Sequence, residues 1–277
     1  FGYGATSSYV SMTNLVNSSG VVATDTTGVG TARRELAATG YGGDKAIFGY
    51  GFTGSKVSMT NLVSNNGVVA ADVTGVGTAR QRLAAASYGG DKGLFGYGEN
   101  SGKISATNLV SNSGVVATDT TGVGTARQYL AATNYGGNKA IFGYGETSSY
   151  ISATNLVSNS GVVATDTTGV GTARARLEAA SYGGDKAIFA YGFTGSNVSM
   201  SNLVSNTGVV SADVTGVGTN RYGLGAASYG GDKAIFGYGW TGAYVSMTNL
   251  VSNSGVVAAD VTGVGTARRY SAAAGYS

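Results

Sequence analysis

The charged residues of this chain that could do chemistry recur every 47 residues. One position of the repeat holds six arginines: Arg33, Arg80, Arg127, Arg174, Arg221 and Arg268. A second position, eight residues earlier, holds six aspartates: Asp25, Asp72, Asp119, Asp166, Asp213 and Asp260. A ring of guanidinium groups could grip an anion. We favour a structural arginine–aspartate pair repeated six times, because the two residues occur one to one in every unit.

The composition excludes most catalytic sites. The 277 residues include no His and no Cys, so there is no Ser-His-Asp or Cys-His nucleophile and no imidazole or thiolate metal site. Glycine-rich segments such as Gly75-Val76-Gly77 lack the Lys-Ser/Thr that a phosphate-binding loop needs. We therefore expect no enzymatic activity, no metal and no cofactor.

A second set of useful side chains differs from unit to unit. We call the residues at one position of the repeat a column. The aromatic residues that do not recur in every unit all fall in four columns. Glu178 is the one charged residue that does not recur and lies outside these columns. Exposed aromatic rings beside Lys, Arg and Glu suit a glycan or a protein surface. The candidate ligand-binding residues are Phe52, Lys56, Lys103, Tyr129, Tyr150, Phe193, Tyr222, Trp240, Tyr244 and Tyr270.

The elements that must position these side chains are predicted from the second unit. Residues 45–51, 56–63, 67–73 and 78–88 form four short runs with apolar or β-branched content, separated by glycine-rich turns. Residues 79–86 are also good helix formers, which leaves a βββα unit as the alternative. We favour four strands, because this run has no N-cap box and a double-glycine turn follows it closely.

One half of the unit resembles a known repeat. Residues 219–239 read Thr-Asn-Arg-Tyr-Gly-Leu-Gly-Ala-Ala-Ser-Tyr-Gly-Gly-Asp-Lys-Ala-Ile-Phe-Gly-Tyr-Gly. This segment resembles the kelch repeat, in which an Arg-led strand precedes a Gly-Asp-Lys turn, an apolar strand and a glycine pair. The resemblance covers all six units. It implies that the Arg-led strand lies innermost in each blade, next to a central channel.

These patterns predict an all-β, six-bladed β-propeller of four-stranded antiparallel blades, in one domain over residues 1–277. The last unit, residues 268–276, stops where its double-glycine turn should begin, and residues 1–4 resume just beyond that turn. We therefore expect the N- and C-terminal strands to pair and close the ring, which removes exposed sheet edges.

The variable columns should lie on one face of this propeller, because two of the four connections in each blade open there. Loops held by a rigid scaffold commonly carry binding residues. We expect a non-enzymatic, lectin-like binding module for a glycan or cell-surface receptor, as in phage or viral attachment proteins. The alternative is a structural scaffold or protein–protein interaction module without a small ligand.

The remaining expectations follow from charge and hydropathy. A net charge of +3 without basic runs argues against nucleic acid as a partner. The chain has no apolar run of 18 residues, so we expect no membrane insertion. We expect a monomer that acts outside the cell or on a virion surface.

Overall fold

The computed structural model describes residues 1–276, and the regular structure within them consists of strands without helices. Residues 1–276 accordingly contain no helix long and apolar enough to cross a membrane. The strands are β1 (Gly2–Ala5), β2 (Tyr9–Thr13), β3 (Ala37–Tyr41), β4 (Lys45–Phe52), β5 (Lys56–Val63), β6 (Ala84–Tyr88), β7 (Lys92–Gly96), β8 (Thr107–Val110), β9 (Ala131–Tyr135), β10 (Lys139–Gly143), β11 (Thr154–Val157), β12 (Glu178–Tyr182), β13 (Lys186–Phe193), β14 (Asn197–Val204), β15 (Gly225–Tyr229), β16 (Lys233–Trp240) and β17 (Tyr244–Val251).

These strands form six small antiparallel sheets, one for each unit. Five sheets have three strands, in the orders β3-β4-β5, β6-β7-β8, β9-β10-β11, β12-β13-β14 and β15-β16-β17, and β1-β2 is the sixth. The apolar middle strand is almost fully buried, because sheets pack against both of its faces. The named strands pair only within their own sheet.

The outer part of each unit differs from the predicted four-stranded blade. In the second unit the run at 67–73 makes only two isolated bridges, from Val69 to Val63 and from Val73 to Thr60. Val68 at its start is 66% exposed, so this run has no second apolar face to bury. The run predicted at 78–88 is also shorter, because the strand begins at Ala84; Arg82 before it has a left-handed φ of 58°.

Aromatic pairs pack each sheet against the next. Tyr50 meets Phe95 edge-on, with ring centroids 5.1 Å apart, and such a pair contributes about 0.5–1.5 kcal/mol beyond its buried area. Gly49 is required there, because a Cβ at that position would lie 2.6 Å from the Phe95 ring. The series ends with Tyr238 packed on Phe1, with centroids 5.1 Å apart.

The two terminal segments share one unit. The backbone N–H of Gly2 donates to the carbonyl of Ala272 at 2.8 Å, and that of Ala5 donates to the carbonyl of Arg269 at 2.8 Å. These contacts are isolated bridges rather than a continuous strand pair. The C-terminal segment thus lies beside β1 of the sixth sheet without forming a strand of that sheet.

In the five three-stranded sheets, the first strand lies next to a common cavity. Strands β3, β6, β9, β12 and β15 contact one another in sequence order. Together with residues 272–276 they line a common cavity of about 620 Å³. Ala predominates on these strands, which leaves room for them to converge.

Candidate functional site

Six residues of one column form a ring of backbone hydrogen bonds. They are Glu35, Arg82, Tyr129, Arg176, Gly223 and Tyr270. All six have a left-handed φ between 53° and 65°. In the last five of these residues the N–H donates to the carbonyl of the residue one unit earlier. The N–H of Glu35, in the first unit, donates to the carbonyl of Tyr270 at 3.2 Å and closes the ring. We call these six residues the hydrogen-bonded ring. A left-handed conformation costs free energy at a non-glycine residue, and here one backbone hydrogen bond from each unit stabilises it.

The side chains of the ring meet across its centre. Tyr129 and Tyr270 stack with centroids 6.1 Å apart although they are 141 residues, or three units, apart in the sequence. The Tyr129 hydroxyl donates to the Glu35 carboxylate at 3.1 Å, from two units away. Tyr222 packs on Tyr270 at 6.1 Å. These contacts cover the centre of the hydrogen-bonded ring, and we call this face of the molecule the variable face.

Opposite charges neutralise one side of the variable face. The Arg82 guanidinium donates to the Glu35 carboxylate at 3.0 Å, bonds to Glu99 and lies 4.7 Å from the centre of the Tyr129 ring. Lys56 pairs with Glu99 at 3.4 Å. Burial and the nearby Glu35 carboxylate raise the pKa of Tyr129, so its hydroxyl stays protonated and serves as a donor.

The other side keeps unpaired positive charge. Arg34 lies 5.4 Å from the centre of the Tyr9 ring and 5.5 Å from that of Phe52. Arg269 lies 4.6 Å from the Trp240 ring and donates to the Tyr222 hydroxyl at 3.0 Å. Within residues 1–276, neither guanidinium has a carboxylate within ion-pair distance. This side of the face therefore combines cations with aromatic rings.

The structure corrects the expected exposure of the candidate ligand-binding rings. They are half-buried and pack against one another rather than standing exposed: Trp240 meets Tyr244 edge-on at 4.8 Å, and Phe193 meets Tyr150 edge-on at 6.2 Å. The half-buried candidates are Phe52, Lys56, Tyr129, Tyr150, Phe193, Tyr222, Trp240, Tyr244 and Tyr270, and Lys103 is exposed.

Four arginines that pack on these rings were not among the candidate ligand-binding residues. Arg34, Arg82, Arg176 and Arg269 each lie over at least one ring of the variable face. They occupy the same two columns as Tyr129, Tyr222 and Tyr270, so the variable columns already contained the signal.

The repeated arginines are fully buried inside the molecule. Arg33 is fully buried, donates to the Asn61 side chain at 2.6 Å and lies 4.3 Å from the centre of the Tyr3 ring. Its carboxylate neighbour is Asp72, at 3.8 Å, rather than the aspartate eight residues before it. The other pairs are Arg80–Asp119, Arg127–Asp166, Arg174–Asp213, Arg221–Asp260 and Arg268–Asp25.

Each repeated aspartate also joins two neighbouring units. Partial burial acts to raise the pKa of Asp72, but hydrogen bonds from Thr31 and Asn61 hold that pKa below its ordinary value. Thr31 donates through both its N–H and its hydroxyl. The Asp25–Arg268 contact makes the same link between the two terminal segments. Full burial of the guanidinium groups favours the structural pair over an anion-binding ring.

No model of a known protein family matches this chain, and no curated protein matches it. Within residues 1–276 there is no group of three or more carboxylates that could hold a metal ion.

Proposed function

We propose that this chain is a six-bladed propeller with kelch-like blades, and that its variable face binds a glycan. The cyclic order of the hydrogen-bonded ring supports the architecture, because a six-unit series that returns to its first member needs the units arranged about an axis. The bonds of Gly2 and Ala5 to the C-terminal segment support closure of that ring by the two termini. Such closure leaves no inner sheet edge unpaired.

The observation that carries the binding proposal is the convergence of unit-specific side chains on one face. Aromatic and charged residues that differ between units come together there, while the Gly-Gly-Asp turns on the opposite side barely vary. Those turns bond to the Ser-Asn-x-Gly turns, for example Asn65 to Asp44 at 3.2 Å. Variation confined to one face of a rigid scaffold is typical of a recognition surface.

The chemistry of this face suits a sugar better than an apolar ligand. Half-exposed rings such as Trp240 and Tyr244 offer flat surfaces on which the C–H face of a pyranose can stack. The guanidinium groups of Arg34 and Arg269 can donate hydrogen bonds to hydroxyl or carboxylate oxygens. Their excess positive charge favours glycans that carry a carboxylate or a sulfate. A role as a surface attachment module, outside a cell or on a virion, would use such a site.

A structural scaffold or protein-interaction module is the second candidate. One observation favours it: valines recur at 61–66% exposure on the outer runs, at Val21, Val68, Val115, Val162, Val209 and Val256. Exposed apolar residues on an incompletely paired outer run could contact a neighbouring protein surface. In that case the variable face would be free of ligand.

A glycan array with three protein samples tests the proposal. We expect the wild-type protein to bind a subset of glycans, with those that carry a carboxylate or a sulfate bound most tightly, and Trp240→Ala with Tyr244→Ala to lose at least about thirtyfold in affinity, as at a binding hot spot. Asn65→Ala, on the opposite side, is the matched control and should bind normally. An array without wild-type binding, alongside capture of a protein partner that survives the double substitution, would favour the second candidate.

A further inference from the structure

The axial cavity contains an ionisable side chain that the variable face does not use and that no other unit repeats. Glu178 lines this cavity. Its column holds small residues in the other five units: Ala37, Ala84, Ala131, Gly225 and Ala272. A carboxyl group therefore stands where five units place hydrogen or methyl. In an otherwise repetitive inner wall it is a singular feature.

The surroundings of Glu178 leave its carboxylate without a cationic partner. Among residues 1–276, no Lys or Arg lies within ion-pair distance of it, and the backbone N–H of Ala179 is the donor that favours its ionised form. Protein encloses the side chain, and part of its surface stays accessible through the cavity. Burial raises the pKa of Glu178 to about 8. A half-buried carboxyl group without a cationic partner, facing a cavity, is a candidate binding group.

The shape of the cavity indicates how a ligand would enter. The hydrogen-bonded ring and the Tyr129–Tyr270 stack cover the axis on the variable face. At the other end the lining includes the exposed glycines Gly43, Gly90 and Gly231 of the Gly-Gly-Asp turns. Because Glu178 comes only two residues after Arg176 of the ring, its carboxyl group lies near the covered end. A ligand would enter between the turns and reach Glu178 last.

We propose that the axial cavity binds a small organic amine, with its ammonium group on the Glu178 carboxylate and its body against the alanine-rich wall. The volume of about 620 Å³ lies within the range of small-molecule sites. The ammonium group supplies the positive charge that the protein does not place there. This site is separate from the variable face and does not depend on the glycan proposal.

Binding of the amine should release a proton from Glu178 over a pH interval in which the other ionisable groups of the cavity keep their charge state. Burial lowers the pKa of the Phe1 amino group to about 5, and it raises the pKa of Tyr41, Tyr229 and Tyr276, so these groups stay neutral between pH 6 and 9. The two remaining charged groups of the lining, Lys45 and Asp91, pair with Asp44 and Lys92. Glu178 must lose its proton to accept an ammonium ion, so raising the pH should strengthen binding.

Isothermal titration calorimetry with cyclohexylamine, and with cyclohexanol as the neutral analogue, tests the proposal on the whole chain. We expect cyclohexylamine to bind about twentyfold more tightly at pH 8.5 than at pH 6.5, with proton release that shows in buffers of different ionisation enthalpy. We expect cyclohexanol to bind at least tenfold more weakly.

Two variants complete the experiment. Glu178→Ala restores the residue found in four other units and should reduce the affinity for cyclohexylamine at least tenfold; Glu178→Gln, which keeps the shape, should do the same. Trp240→Ala with Tyr244→Ala should leave amine binding unchanged, which separates this site from the variable face. Equal binding of amine and alcohol, an unchanged affinity in both Glu178 variants, or no binding at pH 8.5 would overturn the proposal.

Discussion

Glu178→Ala should make the protein more stable at neutral and alkaline pH. The pKa of Glu178 is raised from 4.5 to about 8 in the folded chain, because burial disfavours its ionised form. Between these pH values the folded state binds more protons than the unfolded state, so the free energy of unfolding of the wild-type protein falls as the pH rises. Below about pH 4.5 the carboxyl group is protonated in both states, and its penalty disappears.

The size of the effect follows from the width of this interval. A shift of about 3.5 pH units corresponds to about 5 kcal/mol at 25 °C, and water that enters the cavity reduces it, so we expect about 2–4 kcal/mol. Glu178→Ala should therefore raise the free energy of unfolding by this amount at pH 8.5 and change it little at pH 4.5. Glu178→Gln should show the same trend, which separates loss of charge from change of shape.

Urea denaturation of wild type and variants at a series of pH values measures this difference. The comparison must be made at each pH, because the Phe1 amino group has the opposite effect: burial lowers its pKa to about 5, so its contribution to stability rises between pH 5 and 8. A difference between Glu178→Ala and wild type that stays constant from pH 4.5 to 8.5 would refute the reasoning. It would mean that the carboxyl group is as well solvated in the folded state as in the unfolded state.

The other predictions concern the buried pairs, the termini and the variable face. Arg127→Met should lower the free energy of unfolding by about 3–5 kcal/mol, because it leaves the Asn155 oxygen without its donor; a change below 1 kcal/mol in urea would contradict a structural role. Removal of residues 268–277 should cause aggregation in size-exclusion chromatography, since it exposes unpaired strand edges; a monomer with unchanged melting would count against closure by the termini. Trp240→Ala with Tyr244→Ala should cost about 1–2 kcal/mol in thermal melts, because the rings are half-buried and pack edge-on, and complete unfolding would show that they are core residues.

Much of the fold was predictable because it follows from a strict period. The spacing of 47 residues, the double-glycine turns and the apolar runs predicted the six units and their inner and middle strands. The outer run was overestimated, because β-branched residues such as Val68 and Val69 indicate a strand without showing whether a partner covers it. The partner of each arginine was also misjudged, since spacing along one unit cannot show that Asp72 reaches Arg33 from farther along the chain.

The variable face was predictable only in part. The columns identified which residues vary together, but whether Tyr129 and Tyr270 meet depends on how far the side chains reach across the axis. The left-handed backbone of the hydrogen-bonded ring was hidden, because Glu35, Arg82 and Tyr129 are residues that seldom adopt it. Gly223 in the same column was the one sequence clue to that conformation.

Fluorescence of Trp240 tests the central claim most directly, because it is the only tryptophan of the chain and lies on the variable face. The protein should be titrated with glycans selected on the array. We predict a saturable change in its emission, with a midpoint equal to the dissociation constant measured by calorimetry, and loss of calorimetric binding in Trp240→Ala with Tyr244→Ala. Tight glycan binding that leaves both the Trp240 emission and the affinity of the double variant unchanged would place the site elsewhere and contradict the account.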